Sequence, residues 1–167
     1  EREMYYETKS MLHKQGFERY EISNYAKPGY ECRHNIGYWT GIEYLGLGLG
    51  ASSYIQGFRF HNESDLSCYD KIRMNGTDAD EKLHQEITRL SDKEKMEEFM
   101  FLGLRMIKGV SGSEFFQRFG QNMWNVYGNV LNKLKDEGLI IVDMPDVRLS
   151  DYGIDVSNYV LSEFLLD

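Results

Sequence analysis

The chain has 167 residues, with 19 Lys and Arg against 27 Asp and Glu, a formal net charge of −8 and a pI near 5.1. Its 41% hydrophobic and 28% charged content is that of an ordinary globular protein of one domain or two small ones, long enough to fold without disulfide or metal staples. The acidic balance argues against nucleic acid, which needs clustered Lys and Arg, and no run approaches the ~18 apolar residues of a membrane span. The first residues show no secretory or transit pattern, so a cytoplasmic location is expected, with Cys32 and Cys68 as free thiols. Twelve Tyr, nine Phe and eight Met against two Pro suit a core with some adaptable surface.

The spacing predicts a helix over 1–15, with Tyr5, Thr8, Met11 and Leu12 on one face and Gly16 as its stop. A chain that opens inside a helix is expected to be part of a longer protein. Phe17, Tyr20, Ile22 and Tyr25 favour a strand over 17–24, and Ala26-Lys27-Pro28-Gly29 a turn. Residues 32–40 are polar, aromatic and ambiguous. In 44–54, Leu45-Gly46-Leu47-Gly48-Leu49-Gly50 alternates with period two, which predicts a strand with one bare face. Glycine weakens a strand, so such a run points to a close backbone or a ligand. A second strand over 58–61 and a helix over 64–74 follow, and 75–86 reads as an acidic linker.

The remainder is more periodic. Ser91 with Glu94 and Ser111 with Glu114 have the spacing of capping boxes. The first precedes the face Met96, Phe99, Met100, Gly103 and Ile107; the second precedes Phe115, Phe116 and Phe119, closed by Gly120. A third helix over 122–137 carries Tyr127, Val130, Leu131 and Leu134, with Gly138 at its end. Two short strands flank Met144-Pro145-Asp146, and a last helix is expected over 151–166. Three helices, a hairpin and a helix is the order of a winged-helix module. Its third helix is rich in Asn, but Lys133 and Lys135 are offset by Asp136 and Glu137 and the wing adds only Arg148. Protein contact or packing fits that charge better than DNA.

Two further features could carry chemistry. The Leu/Gly run is neither a dinucleotide fingerprint nor a phosphate loop. It is read either as a bare face for a flat cofactor or as close packing against a helix. His34-Asn35-Ile36-Gly37-Tyr38-Trp39 combines an imidazole, able to ligate iron, with two flat aromatic faces. Cys32 lies two residues from His34 and could share a soft metal with it. In the plainer reading His34 hydrogen-bonds within a loop and Trp39 fills core. Two cysteines are too few for an iron–sulfur cluster held by three or four, and no nucleophile–base pair stands out.

Tyr20-Glu21-Ile22-Ser23-Asn24-Tyr25-Ala26, the His34–Trp39 motif, and Tyr44 through Ser53 together resemble the C-terminal part of the HemW-like, oxygen-independent coproporphyrinogen III oxidase-like radical-SAM family. Arg148-Leu149-Ser150, Gly153, Ser157-Asn158 and Phe164-Leu165 are similar to its closing segment. The resemblance implies an α+β fold: residues 1–76 as the end of a partial (β/α) radical-SAM barrel, and 77–167 as a mostly helical, winged-helix-like C-terminal domain. It implies a heme chaperone that delivers heme to haemoproteins, or alternatively an oxidase that decarboxylates coproporphyrinogen III in porphyrin biosynthesis. S-adenosylmethionine and a [4Fe–4S] cluster would belong to the longer parent, whose cluster cysteines are not in this chain, so the segment alone would be inactive. The implied heme-site residues are His34, also the metal ligand, Asn35, Tyr38 and Trp39. Gly50, Ala51 and Ser52 would lie nearest S-adenosylmethionine; Ser52 departs from the family's frequent histidine. The implied partners are heme, a recipient haemoprotein, the N-terminal radical-SAM region and a peripheral membrane surface, with no nucleic acid.

Overall fold

A computed structural model describes residues 2–75 and 82–166. Its described residues divide into two packed units, one formed by 1–41 with 95–167 and the other by 42–94. These units do not coincide with the segments 1–76 and 77–167.

In the first unit, α1 (Arg2–Lys14) ends at Gly16, whose φ of +80° turns the chain out of the helix. Tyr5 and Leu12 are half-buried as expected, while Thr8 and Met11 are exposed. The strand expected over 17–24 shrinks to β1 (Glu18–Arg19), paired with β2 (Tyr25–Ala26). Residues 20–22 instead run beside 105–107: Ile22 N donates to Arg105 O at 3.0 Å, Ile107 N to Tyr20 O at 3.1 Å, and Glu21 bridges Met106. The ambiguous stretch is a short helix, α2 (Arg33–Trp39).

The winged-helix order is realised in this unit. It comprises α4 (Asp92–Gly103), α5 (Gly112–Phe119) and α6 (Met123–Asp136), then β6 (Ile140–Asp143) and β7 (Asp146–Leu149). Val110 and Val147 exchange both backbone bonds, 2.8 and 3.0 Å, which adds a third strand position beside β7. The core gathers on α6, whose Met123, Tyr127, Leu131 and Leu134 are buried against Met100, Leu104, Phe115, Val147, Val160 and Phe164. The expected last helix breaks at Val156 into α7 (Asp151–Asp155) and α8 (Ser157–Ser162).

Capping follows the sequence at one site and departs from it at another. Ser91 N donates to Glu94 Oε2 at 2.7 Å and Glu94 N to Ser91 Oγ at 3.2 Å, a complete capping box. Ser111 makes no side-chain cap bond; Glu114 pairs with Arg118 instead.

The second unit holds β3 (Ser52–Ile55), β4 (Phe58–Asn62) and β5 (His84–Arg89) in one antiparallel sheet, in that order, with α3 (Leu66–Asn75) between β4 and β5 in sequence. The acidic linker expected over 75–86 is partly corrected: 84–86 belong to β5, while 76–81 lie outside the described residues. The strand expected throughout 44–54 is also corrected. Tyr44 bridges Tyr54, but the Leu/Gly run between them is a loop. Gly48 at φ +99° and Gly50 at +64° cannot continue a strand, and Gly46 is obligatory because a Cβ there would lie 2.2 Å from Ser52 O. Among the described residues the three sheets have two, three and two strands, and none closes into a barrel.

Candidate functional site

The expected site residues divide between the units. His34, Asn35, Tyr38 and Trp39 lie on α2 in the first; Gly50, Ala51 and Ser52 lie at the loop's exit in the second.

On α2, helical spacing puts His34 and Tyr38 on one face and Asn35 and Trp39 on the next. His34 is exposed, and its ring meets Tyr38 edge-on, with centroids 4.7 Å apart and planes at 80°. Among the described residues neither imidazole nitrogen of His34 has a hydrogen-bond partner. Asn35, Tyr38 and Trp39 are half-buried. A seven-residue helix with no buried residue and with Gly37 in its interior does not hold itself together. Its C-terminal end is fixed by two arginines from the winged-helix segment. Both Nη atoms of Arg118 donate to Thr40 O, at 3.2 and 3.1 Å, which places a cation at the negative end of the helix. Arg105 stacks its guanidinium 4.3 Å from the centre of the Trp39 ring.

Behind Arg105 lies Glu21, the glutamate of the Tyr-Glu-Ile-Ser-Asn-Tyr-Ala segment and fully buried. Its Oε1 accepts from Ser23 N at 2.9 Å and Asn24 Nδ2 at 2.6 Å. Its Oε2 lies 3.5 Å from Arg105 Nη2 without a hydrogen bond. Arg105 Nε and Trp39 Nε1 are likewise buried without partners. Sequence reasoning gave neither Glu21 nor Arg105 a role. The visible signal was a glutamate among strand-forming aromatics; Arg105 has no local pattern at all.

In the second unit, two buried polar residues build the glycine loop from below. Asn62 Nδ2 donates to Gly46 O at 3.2 Å and Gly48 O at 2.8 Å, and Ser53 Oγ accepts from Gly46 N at 3.0 Å. The amides of Gly50 and Ala51 are taken by Glu63 O and Gly48 O. Above the loop a Cβ at Gly48 would meet nothing within 4 Å, and one at Gly50 only Ser64 Cβ at 3.8 Å. Leu45, Leu47 and Leu49 are exposed. This arrangement fits a group lying against bare backbone beside the Ser52 hydroxyl.

Other chemistry is sparse. Cys32 and Cys68 are both free and exposed, and among the described residues no three His, Cys, Asp or Glu side chains cluster as metal ligands. With two cysteines in all, the chain does not fit an iron–sulfur cluster of its own. One exposed imidazole with free nitrogens and an aromatic edge beside it does fit a ligand to a heme iron. A cavity of about 180 Å³ in the first unit touches Lys9, His13, Arg19 and Asp151 but none of the expected site residues. Its charges are satisfied internally, by Lys9 with Asp151 at 3.1 Å and His13 with Glu18 at 2.8 Å. Among the described residues no helix is long and apolar enough to cross a membrane.

Residues 90–156 match the HemN C-terminal domain. The chain is 35% identical over 165 residues to the heme chaperone HemW of Lactococcus lactis and 36% identical over 166 residues to that of Bacillus subtilis, in each case across 99% of this chain and 42% of the relative. It is 30% identical over 175 residues to the mitochondrial radical S-adenosyl methionine domain-containing protein 1 of Bos taurus, across 98% of this chain and 38% of that protein. Its fold matches the structure of coproporphyrinogen III oxidase (HemN) from Escherichia coli, a radical SAM enzyme, with a TM-score of 0.71 at 16% identity, over 96% of this chain and 40% of that one. The chain thus spans about two-fifths of the length of these relatives, and it belongs to the HemW- and HemN-like radical-SAM family.

Proposed function

We propose that the chain is the C-terminal portion of a radical-SAM family heme chaperone, which binds heme and passes it to a recipient haemoprotein. In this reading residues 1–76 end the radical-SAM barrel and 77–167 form the C-terminal domain. The N-terminal radical-SAM region of a longer, cytoplasmic protein would contribute the cluster cysteines and most of the S-adenosylmethionine site. Gly50, Ala51 and Ser52 would border S-adenosylmethionine, consistent with the open space above Gly48 and Gly50.

The observation that carries the reading is His34: exposed, unpaired at both ring nitrogens among the described residues, and set edge-on to Tyr38. Bound heme would supply an iron that an imidazole nitrogen can ligate. His34 would be that ligand, and the Tyr38 ring would limit how the imidazole can rotate. Asn35 and Trp39, both partly exposed, would complete the heme-facing set.

Spectral titration of the full-length protein with heme tests this. His34→Ala is expected to weaken binding by about tenfold or more and to shift the Soret band, the scale on which loss of a metal contact acts. An unchanged affinity and band would remove His34 from the site. Anaerobic conversion of coproporphyrinogen III by the same protein would move the reading to the oxidase.

A further inference from the structure

We propose that Glu21 and Arg105 are positioning residues that hold α2, and through it His34, in a heme-competent orientation; this rests on the heme reading of His34. Three observations converge. The helix lacks the length and buried face to hold itself. Arg105 covers the Trp39 ring at 4.3 Å, at the end of α2 opposite His34. Glu21, fully buried, is aimed at the same guanidinium at 3.5 Å.

The backbone explains why this contact is fixed. Glu21 bridges Met106, and the flanking bonds of Ile22 with Arg105 and Ile107 with Tyr20 lock 20–22 to 105–107. Glu21 and Arg105 therefore leave two paired strand segments whose register cannot slip without breaking both bonds. Ser23 N and Asn24 Nδ2 clamp one oxygen of Glu21, leaving the other to face the guanidinium. An arginine is required because only a planar guanidinium can stack on an indole while presenting an edge to a carboxylate. A carboxylate is required because the guanidinium, with Nε buried and unpartnered, would otherwise lose the buried anion that faces it at 3.5 Å. The segment Tyr20–Ala26 and the motif His34–Trp39, separated in sequence, thus meet on one side chain from the winged-helix segment.

The test is a cycle in the full-length protein, with Arg105→Lys and Glu21→Gln each made alone and with His34→Ala. Arg105→Lys keeps a cation beside Glu21 and loses the stack; Glu21→Gln keeps an acceptor for Ser23 and Asn24 and loses the charge. Each is expected to weaken heme binding about tenfold, as partners behind a ligand do, and to move the Soret band toward that of His34→Ala. Neither should cause a further loss once His34 is alanine. Amide exchange at Ile36 and Thr40, whose N–H groups close the turns of α2, should quicken about tenfold in both variants. Wild-type heme spectra in both variants, or equal losses with and without His34, would overturn the proposal. If His34→Ala itself changes nothing, the heme reading falls, and amide exchange alone decides whether Glu21 and Arg105 hold α2: unchanged exchange overturns the anchoring, faster exchange supports it.

Discussion

Leucines are spaced regularly in two places in this chain and meet opposite environments. On α6, Leu131 and Leu134 are fully buried. In the glycine loop, Leu45, Leu47 and Leu49 are 58%, 83% and 45% exposed. The difference lies in what separates them. On α6 the intervening residues keep helical backbone, so Met123, Tyr127, Leu131 and Leu134 return to one buried face and share a core with Phe115, Val147 and Phe164. In the loop, glycines at positive φ re-aim the chain at Gly48 and Gly50, so period two in sequence does not become period two in space. A regular apolar spacing marks a core only where the backbone between the apolar residues is regular too.

The largest effect expected to sharpen that contrast comes from truncating one leucine in each run. Leu131→Ala should destabilise by about 3 kcal/mol, the loss of a buried side chain plus the cavity it leaves. Leu47→Ala should stay within about 0.5 kcal/mol, because water already surrounds the side chain. Chemical denaturation followed by circular dichroism separates the two. Comparable losses would mean that the loop leucines are covered in the folded protein.

Glycines make the same comparison at smaller scale. Gly109 has φ +75°, and a Cβ there would lie 2.0 Å from Val147 O and 2.6 Å from Arg148 Cβ. Gly109→Ala therefore forces β7 to move as well as straining its own backbone, and should destabilise by about 2–3 kcal/mol. Gly48→Ala strains only the backbone, since space is open around it, and should destabilise by about 1 kcal/mol. A reversal of that order in the same denaturation series would show that the loop, and not the wing, is the closer-packed backbone.

How much could be read in advance tracks the same division. The α6 stripe, the hairpin and the Ser91–Glu94 box were legible because each depends on residues within a few positions of one another. Ser111–Glu114 has identical spacing and fails, because Arg118 draws Glu114 away while also reaching Thr40, some eighty residues back. The helical state of 33–39 was ambiguous for the same reason: its support comes from Arg105 and Arg118, not from its own pattern. His-Gln-Glu-Ile-Thr-Arg was read partly as linker because it is polar, although pairing with β4 makes it a strand. Of the candidate site, His34 and Tyr38 were legible as an i, i+4 pair once helical. The Arg105 stack, and the support of the glycine loop by Ser53 and Asn62, depend on backbone register that no local window contains.

The smallest expected effect contrasts the helix starts in the two regions. Asn122 caps α6 through a neutral amide oxygen that accepts from Trp124 N at 2.8 Å. Asp65 caps α3 through a carboxylate that accepts from Ser67 Oγ at 2.6 Å and Cys68 N at 2.9 Å. Those hydrogen bonds, from the Ser67 hydroxyl first, hold the Asp65 carboxyl at a pKa of about 2, below its ordinary 3.8. The folded state thus prefers the ionised form, so the contribution is complete above the ordinary pKa and fades as pH falls from about 4 toward 2. The Asn122 cap carries no titrating group and should pass through that window unchanged. Side-chain carboxyl and Cys68 amide shifts, followed by NMR against pH, should share a midpoint near 2, and Asp65→Asn should abolish that step in the Cys68 amide. A midpoint at the ordinary carboxylate value would mean that the charged cap gives α3 no preference for its ionised form, and that the two helix starts respond to acid alike.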